Sequence, residues 1–182
     1  KKGLAENTVF IVTSDNGPDG ADYQSGAGWA KRHGYHRDFE EKGGKHYYGG
    51  IGAEFASAIA APFSYYKYYT GEGGLRVPLI ISGANFSSKK TDNALCFITD
   101  IAPTVYELAD LPTTANEGYA PIMGKSMLPH IKDANTPIYK ADEGVGMEAA
   151  VNAAYFLGDY KIVKNNISLG DNQWRMYNLK ID

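Results

Sequence analysis

Cysteine is nearly absent: Cys96 is the single one in 182 residues, so no disulfide framework can hold this chain. Charge of one sign is also missing. Lys plus Arg is 18 and Asp plus Glu is 21, a net charge of −3, which lacks the basic excess of a dedicated nucleic-acid binder. No apolar run approaches the roughly 20 residues that span a bilayer. There is no initiator Met, signal peptide or transit peptide, and both ends read as cut from something larger. The absence of a targeting signal therefore carries no message about compartment. What is present is 43% hydrophobic residues with 21% charged, enough for a folded core. Glycine (21) and tyrosine (14) are plentiful, which favours long ordered loops over helical bundles.

Residues Thr8 to Thr13 (TVFIVT) form a continuous apolar and β-branched run. Such a run predicts a strand covered on both faces, as in a parallel sheet. It ends in Ser14-Asp15-Asn16-Gly17-Pro18, and α/β folds place ligands at the carboxyl ends of such strands. Residues 19 to 61 read as one long loop segment holding three of the four histidines, His33, His36 and His46. After Pro62, Phe63 to Thr70 predicts a short helix. Glu72-Gly73-Gly74 predicts a turn, and Arg76 to Ser82 a second buried strand. Thr99 to Asp110 predicts a helix capped by Thr99 or Asp100, with Ile101, Val105, Leu108 and Ala109 on its apolar face. Beyond Pro112 the texture changes. Strands are expected at 153–157, 160–164 and 174–179, with Gly158-Asp159 as a hairpin turn, which together make a small antiparallel sheet.

Asp15 and Asn16 carry side-chain oxygens that suit a hard cation, calcium or magnesium, but Asp-Asn-Gly is also ordinary turn chemistry. An EF-hand fails, because position three from Asp15 is Gly17 and position twelve is Gly26. A phosphate loop ending in Gly124-Lys125-Ser126 fails too, since its first glycine falls on Tyr119. Lys67, among Tyr65, Tyr66, Tyr68 and Tyr69, is either an anion-binding lysine or an exposed one. The three histidines lack metal-ligand spacing and read as loop side chains. Cys96 has apolar neighbours and reads as an inert thiol. Asn85-Phe86-Ser87 and Asn166-Ile167-Ser168 are glycosylation sequons.

These signals recur in a familiar order. Residues 8–17 (TVFIVTSDNG) resemble the strand and S-D-N-G element of type I sulfatases. Ala61-Pro62-Phe63 through Lys67, then Glu72-Gly73-Gly74-Leu75-Arg76-Val77-Pro78, resemble that family's T-P-F…Y-K…E-G-G-x-R-V-P block. Thr99-Asp100-Ile101-Ala102-Pro103-Thr104 is similar to T-D-I-x-P-T, and Gly124-Lys125-Ser126-Met127-Leu128-Pro129 to G-x-S-L-L-P. Gly158-Asp159-Tyr160-Lys161 resembles G-D-W-K, and Tyr177-Asn178-Leu179 the closing L-Y-D-L. The 16–62 interval looks most like the bacterial arylsulfatase branch.

The resemblance implies an α/β fold of the alkaline phosphatase superfamily, a mixed sheet with helices plus a small C-terminal antiparallel sheet subdomain. Residues 1–111 would be the C-terminal portion of the catalytic domain and 112–182 the small subdomain. It implies a sulfuric ester hydrolase with a calcium ion (magnesium as the variant) held in part by Asp15 and Asn16. Lys67 would contact the sulfate, and Asn16, where zinc phosphatases tend to carry histidine, favours the single-calcium arrangement. His36 and His46 would sit among the mouth loops as substrate contacts. The family's nucleophile, a formylglycine made in a C/S-x-P-x-R motif, is expected in a missing N-terminal part, because Cys96 is followed by Phe97-Ile98-Thr99-Asp100. The first acidic pair of calcium ligands is not here either. Ala61, Lys125 and Tyr160 stand where Thr, Arg and Trp are usual. The expected partners are a small-molecule or carbohydrate sulfate ester and the missing N-terminal part, with no nucleic acid. The family is mostly exported, to the periplasm or outside the cell. The 182-residue piece alone is expected neither to hold calcium tightly nor to turn over an ester. A phosphate or phosphonate ester hydrolase, or a non-catalytic binder of sulfated ligands, are the other readings.

Overall fold

The computed structural model describes residues 2–21, 27–83, 86, 91–114 and 118–181. The sequon at Asn85 lies outside the described residues, as do parts of the 19–61 segment. A 3-10 turn at Ala5–Asn7 leads into β1 (Val9–Thr13). The next regular elements are α1 (Ala27–Arg32), α2 (Gly52–Ala60), α3 (Glu72–Leu75) and β2 (Leu79–Gly83).

β1 and β2 are the strands expected, but they pair antiparallel, Val9 opposite Gly83 and Thr13 opposite Leu79. Nor are they buried on both faces. Both alternate between half-buried and exposed, and Phe10 (52%), Val12 (59%) and Ile80 (58%) form an open apolar row. The continuous apolar run asks for cover on two faces, and the described residues cover one.

Two helix expectations change place. Residues 63–70 are not helical, and Tyr65 (φ 71°) and Tyr68 (φ 80°) turn into the left-handed region instead. The chain is held there by backbone bonds across the turn, from the Gly73 N–H to the Ser64 carbonyl (2.9 Å) and from the Lys67 N–H to the Pro18 carbonyl (2.9 Å). Tertiary hydrogen bonding wins over local propensity. The helix lies upstream as α2, in the stretch read as loop, where an alanine-rich run buries Ala56 and Ala60 and exposes Phe55 and Ile59.

A 3-10 turn (Ile98–Asp100) precedes α4 (Ile101–Leu108), followed by α5 (Leu128–Lys132). Asp100 is fully buried, and its carboxylate accepts from the Phe97 N–H (2.7 Å), the Lys125 N–H (2.8 Å) and the Tyr139 hydroxyl (2.6 Å). It caps the 3-10 turn and ties the T-D-I block to the G-K-S block. Burial, then this carboxylate, push the Tyr139 phenol upward. The face of α4 that packs is Pro103 and Thr104, while Val105 and Leu108 stay exposed, contrary to the expected stripe.

Four strands complete the chain: β3 (Gly144–Ala149), β4 (Asn152–Leu157), β5 (Tyr160–Lys164) and β6 (Trp174–Asn178). They form an antiparallel meander in sequence order, with the Leu157–Tyr160 hairpin as expected and β3 as an added edge strand. Ala154, Phe156 and Val163 on its inner face form the core, packed against Leu75, Leu95, Phe97, Met147 and Leu179. The sheet thus closes over α3 and the segment before α4.

Candidate functional site at the carboxyl end of the first strand

The loop leaving β1 is fixed by glycine geometry. The Gly17 N–H donates to the Gly74 carbonyl (2.9 Å), and a side chain at buried Gly17 would collide with the Gly73 carbonyl oxygen. The Ser14 hydroxyl donates to the Asn16 carbonyl (2.9 Å). Between these anchors Asp15 is exposed and Asn16 half-buried. Among the described residues neither side chain makes a hydrogen bond, so their oxygens are uncommitted. They are hard donors of the kind calcium takes, yet calcium needs about six to eight oxygens. No group of three His, Cys, Asp or Glu side chains converges anywhere among the described residues. Asp15 and Asn16 therefore fit part of a coordination sphere.

Lys67 comes to the same place from the 61–71 turns. Its Nζ lies 3.0 Å from Asp19 Oδ2, and the other Asp19 oxygen accepts from the Ala21 N–H (2.9 Å). The hydrogen bond to Asp19 raises the Lys67 pKa, and the charges of Asp19 and Asp15 add to the effect. The ammonium is thus a full cation at neutral pH, and its Nζ is 5.2 Å from the Tyr68 ring centre. Nothing along the chain points to Asp19 as the partner, because the pairing spans 48 positions.

A second ion pair supports the loop from behind. Lys161 of β5 is 1% exposed, with its Nζ 2.6 Å from Glu72 Oε1 and 4.8 Å from the Phe156 ring centre. Burial lowers the Lys161 pKa, opposed by Glu72. Glu72 begins α3, whose Gly73 and Gly74 press on Gly17. The G-D-Y-K block therefore steadies the S-D-N-G loop through α3. The signal was present in the sequence as an acid in one block and a lysine in another, but nothing in it paired them.

The histidines lie apart. The His36 N–H donates to the His46 carbonyl (2.9 Å), so the two share one small backbone pairing. The His36 ring is 3.1 Å from Glu41 Oε2, and His46 is exposed at φ 65°. Among the described residues neither makes a hydrogen bond or ring contact with Asp15, Asn16 or Lys67. Cys96 is half-buried, and burial pushes its thiol up, away from nucleophilic character.

The family profile described as Sulfatase matches residues 1–111, well over half of the chain. The chain belongs to the sulfatase family. Two curated relatives are similar to this sulfatase chain. An arylsulfatase of Klebsiella aerogenes is 27% identical over 133 residues, covering 69% of the chain and 28% of the relative. An uncharacterized sulfatase of Schizosaccharomyces pombe is 26% identical, covering 99% of the chain and 34% of the relative. The sulfatase chain thus spans about a third of the length of these relatives. Solved structures share its fold. Ps i-CgsB in complex with k-i-k-neocarrahexaose matches with TM-score 0.61 at 22% identity, covering 97% of the chain and 31% of that protein. BT4656 in complex with its substrate D-glucosamine-2-N,6-O-disulfate matches with TM-score 0.57 at 19% identity, covering 99% of the chain and 29% of that protein. The chain has part of the sulfatase fold, as expected from the sequence.

Proposed function

We propose that this chain is the C-terminal part of a sulfuric ester hydrolase of the arylsulfatase type, acting on the sulfate monoester of a carbohydrate or small molecule. The observation that carries the reading is that Lys67, its backbone N–H bonded to the Pro18 carbonyl, lies against the loop that carries Asp15 and Asn16 out of β1. Sulfate ester hydrolysis spreads negative charge over the non-bridging oxygens, and a divalent cation and an ammonium aimed there stabilise it. Calcium, with magnesium as the variant, would be held partly by Asp15 and Asn16 and would supply Lewis-acid stabilisation of those oxygens. Lys67, fixed by Asp19 and the Pro18 carbonyl, offers its remaining N–H donors to the sulfate. The formylglycine nucleophile and the other calcium ligands would come from the missing N-terminal part. That part is also the partner proposed to cover Phe10, Val12 and Ile80. His36 and His46 would line the mouth as substrate contacts. The carbohydrate ligands of the two structural neighbours support a sulfated sugar as substrate. A third neighbour (TM-score 0.59, 22% identity), from the metabolism of glycosaminoglycans by Bacteroides thetaiotaomicron, supports export to the periplasm or beyond. Among the described residues no helix is long and apolar enough to cross a membrane.

The test is hydrolysis of 4-nitrophenyl sulfate and 4-nitrophenyl phosphate by the complete protein, with and without a calcium chelator. The sulfate should be preferred at least about 10-fold in kcat/KM, and chelation should suppress turnover with recovery on adding calcium. A preference for the phosphate would instead favour a phosphate or phosphonate ester hydrolase. Binding of sulfated ligands without turnover would favour a non-catalytic relative.

Asp19 is expected to act through Lys67. Replacing it by alanine frees the ammonium from its fixed position, and kcat/KM for the aryl sulfate should fall about 10-fold. Asp19→Asn, whose side-chain carbonyl still accepts the Lys67 bond, should retain most of the activity. Equal loss in both variants would mean that charge, and not position, is what Asp19 supplies.

A further inference from the structure

A cleft of about 280 Å³ opens beside Lys67. Asp19, the ion-pair partner of Lys67, forms one side, and Tyr68, over which the Lys67 ammonium lies, forms another. The opposite wall comes from the C-terminal sheet: Ala150 of the β3–β4 turn, then Asn166 and Ser168 after β5. The sequence resemblance points to His36 and His46 among the mouth loops as substrate contacts, and to none of these lining residues.

One buried asparagine assembles these walls. Asn152 is 3% exposed; its Nδ2 donates to the Tyr68 carbonyl (2.7 Å) and the Ala150 carbonyl (3.3 Å), and its Oδ1 accepts from the Asn166 N–H (2.6 Å). The same rims carry unusual backbone. Tyr68 (φ 80°), Ala150 (φ 49°) and Val151 (φ 66°) are all non-glycine residues in the left-handed region. A two-residue hairpin with both φ positive ordinarily takes Asn-Gly, and a β-branched residue there is costly. Such conformations persist where the surrounding structure over-determines them, and they cluster at ligand sites. The lining also has a consistent chemistry. Tyr68 presents a half-open aromatic face, while the Asn166 amide and the Ser168 hydroxyl, 2.7 Å from the Tyr69 hydroxyl, offer polar contacts. An aromatic face beside amides and hydroxyls matches a sugar ring, apolar on its faces and hydroxylated at its edge. The volume lies at the small end of ligand pockets, room for one ring.

We propose that this cleft binds the sugar ring that carries the sulfate. Tyr68 stacks on the ring face, and Asn166 and Ser168 of the C-terminal sheet select its hydroxyl pattern. The assignment rests on the sulfate ester reading above, since it takes Lys67 to mark where the sulfate sits. The C-terminal sheet is then part of the specificity apparatus as well as a cover for the core.

The experiment compares 4-nitrophenyl sulfate with a panel of hexose and hexosamine monosulfates, using the complete protein and its Asn166→Ala and Tyr68→Ala variants. For the best sugar sulfate, Asn166→Ala should lower kcat/KM about 10-fold more than for the aryl sulfate, chiefly through KM. Tyr68→Ala should lower it at least 10-fold, and Tyr68→Phe, which keeps the stacking face, should restore most of it. Asn166 and Tyr68 are exposed, and unchanged circular dichroism would exclude unfolding as the cause. Wild-type turnover of sulfate esters with sugar-to-aryl ratios unmoved in both variants overturns the subsite alone. So does turnover of the aryl sulfate with no sugar sulfate turned over or bound. If the wild type neither hydrolyses nor saturably binds any of these esters, the reading beneath the subsite falls, and the subsite with it.

Discussion

Replacing Lys67 by alanine in the complete protein is expected to lower kcat/KM for 4-nitrophenyl sulfate by about 10²- to 10³-fold, the usual cost of removing one fixed donor from a developing oxyanion. The structure argues for the upper part of that range. Lys67 neutralises Asp19 at 3.0 Å, so its loss also leaves an unpaired carboxylate facing the place where the sulfate would sit. The double variant Lys67→Ala with Asp19→Asn should therefore recover several-fold over Lys67→Ala alone, which is the reverse of additive damage. Lys67→Arg keeps the charge but presents a planar fork in place of a point charge, so it should recover only part of the activity. Steady-state kinetics on the four proteins decides the matter. A loss under threefold in Lys67→Ala would remove this lysine from the reacting group.

Breaking the Lys161–Glu72 pair should give the largest loss of stability. Lys161 is 1% exposed, and its removal leaves the Glu72 carboxylate without its partner in a site that is only partly hydrated. Truncating one member of a buried pair costs about 3–5 kcal/mol. The Glu72 side chain keeps 24% exposure, which places the expected loss nearer 2–3 kcal/mol on the same scale. The loss should be local before it is global. The amides of Gly17, Gly73 and Gly74 bond within and around α3, and their hydrogen exchange should accelerate about 10²-fold in Lys161→Ala. In the double variant Lys161→Met with Glu72→Gln, no charge is left unpaired and most of the protection should return. Unchanged exchange at Gly17 in Lys161→Ala would show that the C-terminal sheet does not steady the S-D-N-G loop.

Much of the family reading was legible because it rests on short blocks whose residues are fixed by local geometry. Ser14-Asp15-Asn16-Gly17 needs a glycine where the Gly73 carbonyl allows no side chain. Thr99-Asp100 needs an acid that can take bonds from three donors at once. Gly158-Asp159 turns a hairpin with Gly158 at φ 55°. Such demands leave a mark in sequence. The 63–70 turns left none that favoured them over a helix, because left-handed tyrosines at 65 and 68 are held by distant carbonyls and by Asn152. The strand at 144–149 was weakly marked: Val145, Met147 and Ala149 do alternate with Gly144, Gly146 and Glu148, but glycines disfavour a strand by themselves, and pairing with β4 sets it.

The sequence by itself determined the sulfatase family, the β1 strand with its Asp15–Asn16 loop and the C-terminal antiparallel sheet. Each depends on neighbours along the chain, where turn chemistry, capping and hydrophobic patterning act. Only the tertiary structure decided the antiparallel pairing of β1 with β2 and the partnership of Lys67 with Asp19. It alone set Lys161 against Glu72 and brought Tyr68 to face Asn166. These are contacts between residues far apart in the chain. Electrostatic and hydrogen-bond energy depends on distances of a few ångströms in space, and a pairing across many intervening residues leaves no periodicity to read.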